Sequence, residues 1–247
     1  MKYAALIVIA TVIVAAIWMT STQGRVWRSD GNDASVLFEA GNRHFSSEAY
    51  DIDRAKEYFK EALKIDPEFP GVHYQLARVY FIESNFYDAL LEINKEIELH
   101  PDFKRSYYVR GLIYGYTQRL SEAESDFKTF LEWKPDSWAA HNDLAWIYFQ
   151  EGKFKEVRDT ARAGLQFSAD NPWLLNSLGV ALLNLADKEG AEEAFERALE
   201  IINGMSPDSW GLAYPGNDPS IYAEGFTKMK ESIEENLTLL SAKDAGR

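Results

Sequence analysis

The stretch ALKIDPEF, residues 62–69, returns in similar form as EIELHPDF, residues 96–103, and as FLEWKPDS, residues 130–137. Each copy begins 34 residues after the one before it, and each joins an apolar run to a proline. These prolines are Pro67, Pro101 and Pro135. A fixed period of this length indicates that one structural unit is repeated along the chain.

Two columns of mostly apolar residues keep the same period through five units. The first column contains Ala55, Ala89, Ala123, Val157 and Ala191. The second lies four residues further on and contains Phe59, Ile93, Phe127, Ala161 and Phe195. A third column of small residues, Gly111 and Gly179 among them, precedes the first by twelve places. Separate columns of small and bulky residues predict two closely packed helices per unit, with the small residue against its neighbour's backbone.

The apolar spacing within a unit is that of a helix. Apolar residues recur at steps of three and four from Leu76 to Phe81 and again from Ala89 to Ile97, with ESNFYD, residues 83–88, between them. A proline disfavours helix at the residue before it, so Pro101 closes the second helix of its unit. Each unit is therefore predicted to be a helical hairpin.

This arrangement resembles the tetratricopeptide repeat family. The family pattern is carried in unit three by Tyr107, Gly111, Tyr114, Ala123, Phe127 and Pro135. The resemblance covers residues 35–203 and implies an all-α, right-handed superhelix, or solenoid, of about five helical hairpins. Unit one departs from the pattern, because it has fourteen residues rather than twelve between Gly41 and Ala55. We expect an enlarged turn there.

Composition limits the functions that the chain can have. The 247 residues include 39 acidic and 26 basic side chains, for a net charge of −13, so nucleic acid is not expected as a partner. There is no cysteine, and no HExxH or glycine-rich phosphate loop occurs. We therefore predict that the protein is not an enzyme, with no cofactor, metal or small-molecule substrate.

Residues 3–19, YAALIVIATVIVAAIWM, carry no charge. This length is at the short end of what spans a bilayer as one helix, so residues 1–28 are predicted to be an N-terminal transmembrane anchor with its interface residues. The alternative is a signal segment that is cleaved, leaving a secreted protein. For an anchored protein, the basic tail before the apolar run favours an extracytoplasmic repeat domain, and the cytoplasmic face is the alternative.

The remaining segments flank the repeats. Residues 29–34 are predicted to be a linker, and residues 204–219 a loop, because both are rich in residues that interrupt regular structure. Apolar residues then recur at helical steps from Phe226 to Leu240. A helix over residues 220–242 is therefore predicted to cap the apolar end of the stack.

The resemblance also implies where a partner binds. In this family the first helix of each hairpin lines a concave groove that holds extended peptides or partner elements. By register, the groove positions are Phe38, Asn42, Tyr74, Arg78, Arg105, Tyr108, Asn142, Trp146, Phe149, Trp173, Asn176 and Asn184. Asparagines can pair with a strand-like backbone, and the arginines suit acidic groups, so the expected ligand is an extended segment with apolar and acidic residues. For the aromatic residues, packing between units is the competing explanation.

Two functions fit these observations. The first is a membrane-tethered interaction scaffold or assembly factor that binds a protein or peptide in the groove. The alternative is a structural subunit of a membrane complex, anchored by its single helix.

Overall fold

The computed structural model describes residues 33–46, 49–212 and 222–244, and all regular structure in these ranges is helical. Its helices are, in chain order, α1 (Ala34–His44), α2 (Ile52–Ile65), α3 (Val72–Ile82), α4 (Phe86–Leu99), α5 (Arg105–Tyr116), α6 (Leu120–Trp133), α7 (Trp138–Gln150), α8 (Phe154–Leu165), α9 (Pro172–Asn184), α10 (Lys188–Asn203), α11 (Pro207–Leu212) and α12 (Tyr222–Asp244). The first ten form five consecutive hairpins, and each hairpin packs against the next. The predicted all-α repeat architecture is confirmed.

Glycine occupies the small-residue column in three of the five units. These glycines explain how closely the two helices of a hairpin approach each other. A methyl group added to Gly179 would lie 2.6 Å from the Phe195 ring, and one added to Gly41 would lie 2.4 Å from the Phe59 ring. Both phenylalanines are fully buried. The glycine therefore accommodates the aromatic ring of the second helix. The sequence pattern had predicted instead that the small residue lies against a neighbouring backbone.

A left-handed residue lies in the turn between the two helices of every hairpin. Positive φ angles occur at Tyr50, Ser84, Gln118, Gly152 and Ala186, which are spaced by 34 residues. Only one of the five is glycine, the residue that adopts this conformation without strain. In unit one the left-handed residue keeps its register relative to α2, so the two extra residues of this turn lie before Tyr50.

Side-chain caps begin several of the helices. Asn171 is buried and accepts a hydrogen bond from the Leu174 backbone N–H at 3.1 Å, while Pro172 occupies the first helical position of α9. By contrast, Lys153 precedes α8 without a side-chain cap.

We expect Asn171→Ala to lower the free energy of unfolding by about 1 kcal/mol, because the Leu174 N–H would lose its partner. Lys153→Ala is the matched control, since it removes no cap and only the contacts of a partly exposed lysine with Glu124, Glu151 and the Tyr148 ring, which contribute little. Urea unfolding of the two variants measures the difference. Equal losses for both would contradict a capping role for Asn171.

The C-terminal end of the stack is covered by α12, which packs against α10. Met229 and Ile233 of α12 are buried there. The segment predicted as a loop over 204–219 contains the short helix α11, so that prediction is wrong for residues 207–212. Trp210 of α11 is buried and lies against Gly225 of α12, where an added methyl group would come within 2.4 Å of its ring.

The helices in the described ranges include none with both the length and the apolarity needed to cross a bilayer. The predicted anchor at residues 3–19 and most of the predicted linker lie outside the described residues, as do residues 213–221.

Candidate protein-binding groove

The predicted groove residues all lie on the first helices of the hairpins, but at different depths. Seven of them are buried: Tyr74, Arg78, Tyr108, Asn142, Trp146, Trp173 and Asn176. The other five are partly exposed: Phe38, Asn42, Arg105, Phe149 and Asn184. The repeat register therefore identifies a common face, and much of that face forms the contact between neighbouring units.

Hydrogen bonds join successive first helices across this face. The Gln75 amide of α3 donates to the Asn42 side chain of α1. One step along, the Tyr108 hydroxyl of α5 donates to Asp143 of α7. The Ser177 hydroxyl of α9 then donates to Asn142 of α7 at 3.0 Å. Polar contacts thus connect units one to two, three to four and four to five.

Three residues of these hydrogen bonds, Gln75, Asp143 and Ser177, were not among the predicted groove residues. Each follows a predicted groove position by one residue, a step that turns a side chain about a quarter of the way round the helix. The signal was present, because Asp143 and Ser177 lie within first helices that are mostly apolar. A polar residue inside an apolar helix needs a hydrogen-bond partner, and the next unit supplies it.

Asn142 is completely buried, so its expected position on the open surface of the groove is corrected. Its side chain lies in the contact between α7 and α9. Asn176 is 3% exposed, and Asn184 donates to the Val180 carbonyl of its own helix at 2.8 Å. In this conformation these asparagines stabilise the repeats. Their burial and intrahelical hydrogen bonding leave few side-chain atoms accessible to a partner.

Arg78 of α3 is a predicted groove residue in the N-terminal half of the stack. It is 5% exposed, its guanidinium lies 4.3 Å from the centre of the Phe45 ring, and it donates to Gln75. Within residues 33–46, 49–212 and 222–244, no Asp or Glu is close enough to form a salt bridge with it. Burial lowers the pKa of Arg78 to about 9, and the nearby positive charge of Arg105 acts in the same direction. The groove therefore has a buried cation without a carboxylate partner in the described residues.

Asp143 is the buried acid of the central groove. It is fully buried, one oxygen accepts from Tyr108, and the other has no hydrogen-bond partner among the residues that the structure describes. Removal from water raises the pKa of Asp143 to about 7, although the bond from Tyr108 and the neighbouring Asn142 side chain oppose the shift. The carboxyl group therefore changes charge near neutral pH.

The aromatic residues mainly pack between units. The Trp146 ring contacts Gly115 of the preceding unit, where an added methyl group would lie 2.6 Å away, and its centre is 5.8 Å from that of Tyr116. Trp173 lies between Trp138 and Trp210, with ring centres at 5.2 and 6.0 Å. For Trp146 and Trp173, packing accounts for the side chain.

Two histidines of unit two pair with acidic residues of α4. His73 Nδ1 lies 2.5 Å from Glu92, and His100 Nδ1 lies 3.1 Å from the buried Glu96. Glu96 also accepts backbone N–H groups from Gly71 and Tyr74 and so holds the start of α3. In the described ranges, no group of three or more His, Cys, Asp or Glu side chains is arranged to hold a metal ion.

These features define a class of protein, a stack of helical hairpins with a polar face along its first helices. Three family models, each described as tetratricopeptide repeat, match residues 47–96, 108–172 and 173–203. Together they match more than half of the chain. The chain therefore belongs to the tetratricopeptide repeat family, whose members mediate protein–protein interactions.

Curated relatives include RNA polymerase II-associated protein 3. The chain is 32% identical to the Rattus norvegicus protein over 202 residues, which are 79% of this chain and 30% of that protein. It is 30% identical to the Homo sapiens protein over 115 residues, or 47% of this chain and 17% of that protein. The chain thus spans less than one third of the length of these relatives.

Solved structures with the same fold include PilW, described as a widely conserved type IV pilus biogenesis factor. The TM-score is 0.64 at 16% identity, over 85% of this chain and 92% of that one. MamA from Desulfovibrio magneticus gives 0.64 at 16% identity, over 71% of this chain and 98% of that one. YrrB, described as having an unusual peptide-binding site, gives 0.58 at 18% identity, over 69% and 87%. These likenesses concern the fold alone.

Proposed function

We propose that the protein is an interaction scaffold or assembly factor that binds an extended segment of a partner protein in the groove of its first helices. The observation that carries this proposal is the Arg78 guanidinium, which is buried on the groove face without a carboxylate partner in the described residues. An uncompensated buried charge is costly, and a function at the groove would explain why it is present.

The chemistry of the groove indicates the kind of segment that binds. Arg78 and Arg105 are close enough for their charges to interact, and Arg105 is partly exposed. A carboxylate of the partner placed here would gain charge-assisted hydrogen bonds. The partly exposed Phe38 and Phe149 offer apolar contact on the same face. The proposed ligand is therefore an extended segment with an acidic side chain and an apolar anchor.

Photo-cross-linking of the full chain tests this proposal. We expect a benzophenone side chain in place of Phe149 to form an adduct with the partner, because Phe149 lies on the groove face. The same group in place of Tyr87, which is 74% exposed on α4, is the control and should form none. Adducts at position 87 without any at position 149 would place the partner on the opposite surface.

We further propose that residues 3–19 tether the protein to a membrane, with the repeats on the extracytoplasmic side. The support is the uncharged apolar run and the basic tail before it. Tethering would raise the effective concentration of partners at the same surface.

Alkaline extraction of membranes tests the tether. We expect the full chain to remain in the membrane fraction, and a chain that lacks residues 1–28 to be released while still capturing its partner. Loss of partner capture on that deletion would favour the alternative function of a structural subunit.

A phosphatase that is active only outside the cytoplasm, fused after Arg247, tests the orientation. We expect this fusion to be active, and an inactive fusion would place the repeats on the cytoplasmic side.

A further inference from the structure

A row of apolar side chains runs along the ends of the second helices, away from the groove positions. It has one member in each repeat, spaced by 34 residues: Ile65, Leu99, Trp133, Phe167 and Ile201. We name this set the edge row. Ile65 is 44% exposed, Trp133 49% and Phe167 54%, whereas Leu99 and Ile201 are partly exposed, so the exposed apolar side chains lie in units one, three and four.

His141 contacts both central repeats of the edge row. The His141 ring stacks on Phe167 with ring centres 6.3 Å apart, and His141 Nε2 lies 2.9 Å from the Pro135 carbonyl oxygen. Pro135 follows Trp133 by two residues. His141 therefore contacts both Phe167 and the segment that carries Trp133. Burial lowers the pKa of His141, which favours the uncharged form of the ring.

Exposed acids accompany the edge row at a fixed distance. Three residues after the row position, units one to four carry Glu68, Asp102, Asp136 and Asp170. All four are exposed, and the last three form ion pairs with Lys104, Lys134 and Arg197. Glu98, Glu132 and Glu200 add an exposed acid immediately before the row in units two, three and five. The sign of this charge decides what can bind, because an acidic or anionic surface would be repelled.

We infer that the edge row is a second protein-binding surface, which takes a basic amphipathic segment of a partner protein. The apolar face of the segment covers Trp133 and Phe167, and its lysines or arginines face the acids beside them. This surface shares no residue with the groove, so a scaffold with both could hold two partners at once.

A synthetic amphipathic helix of leucine and lysine, labelled for fluorescence anisotropy, tests the inference on the full chain. We expect binding at low ionic strength that is weakened at least about tenfold by Trp133→Ala with Phe167→Ala, because these would be the central anchors. Tyr87→Ala with Leu91→Ala is the matched control, since both side chains are exposed on α4 and neither belongs to the edge row. This control should leave the affinity unchanged.

The charges are tested separately, in variants that keep the aromatic rings. Asp102→Lys with Asp136→Lys should weaken binding strongly, whereas Glu189→Lys with Glu192→Lys, two exposed acids of α10, makes the same change in net charge and should weaken it much less. A helix in which glutamate replaces every lysine should not bind. Equal affinity for the edge-row variants and their controls, or equal binding of the two helices, would overturn the inference whatever the result at the groove.

Discussion

Replacing Asp143 with asparagine should stabilise the protein at alkaline pH and much less at acidic pH. We expect the stabilisation of Asp143→Asn to be larger at about pH 8 than at about pH 5 by about 2–3 kcal/mol. The reason is the complete burial of the carboxyl group, which outweighs the support that Tyr108 and the neighbouring Asn142 give to its charged form.

The direction follows from the raised pKa of Asp143, which is about 7 in the folded protein against an ordinary 3.8. The folded state holds the proton more tightly than the unfolded chain. The contribution of the protonated group to stability is therefore complete below about pH 4 and is lost as the pH rises through about 7. Asparagine keeps the acceptor for Tyr108 and cannot ionise, so the variant lacks this loss.

Urea unfolding of the full chain across this pH range measures the effect. Asp102→Asn is the control, because its side chain is fully exposed and its charge has little effect on folding. A pH profile of Asp143→Asn that stays parallel to the wild type would show that Asp143 is not the buried titrating group.

Replacing Arg78 with methionine should stabilise the repeats and weaken partner binding. We expect the free energy of unfolding to rise by about 1–3 kcal/mol, because a buried charge without a carboxylate partner in the described residues is replaced by an apolar side chain that can fill the space. Partner affinity should fall at least about tenfold if the guanidinium meets an acidic group of the ligand.

Arg78→Met is expected to raise stability and to lower partner affinity, and this combination distinguishes a binding residue from a structural one. A residue kept only for structure would lose stability when replaced, and partner affinity would fall only as the folded fraction fell. Arg43→Met is the control, since Arg43 is an exposed cation of α1. It should change neither quantity. If Arg78→Met binds the partner identified by cross-linking as tightly as the wild type does, Arg78 is not part of the binding site.

Much of the fold could be predicted because the repeat period is visible in single residues. Gly179 and Phe195 are sixteen residues apart and contact each other. The equivalent glycine and phenylalanine of unit three make the same contact. The short helix α11 could have been found too. Ser206 accepts a hydrogen bond from the Ser209 backbone N–H at 3.1 Å, and Pro207 follows it at the first helical position, a recognised helix start.

The depth of the groove could not be predicted from the same pattern. Register assigns a residue to a face of its helix, but the distance between successive first helices decides whether that face is open. Asn142 and Arg78 belong to the predicted face and are nevertheless buried, because α7 packs against α9 and α3 against α5. The left-handed turn residues were missed because four of the five are not glycine.

Hydrogen–deuterium exchange of the full chain, alone and with the partner identified by cross-linking, tests the central claim most directly. The proposed groove predicts that the partner slows backbone exchange in α1, α3, α5 and α7, around Asn42, Arg78, Arg105 and Phe149. Protection confined to α4, α6 and α8, with exchange in the first helices unchanged, would contradict binding in the groove.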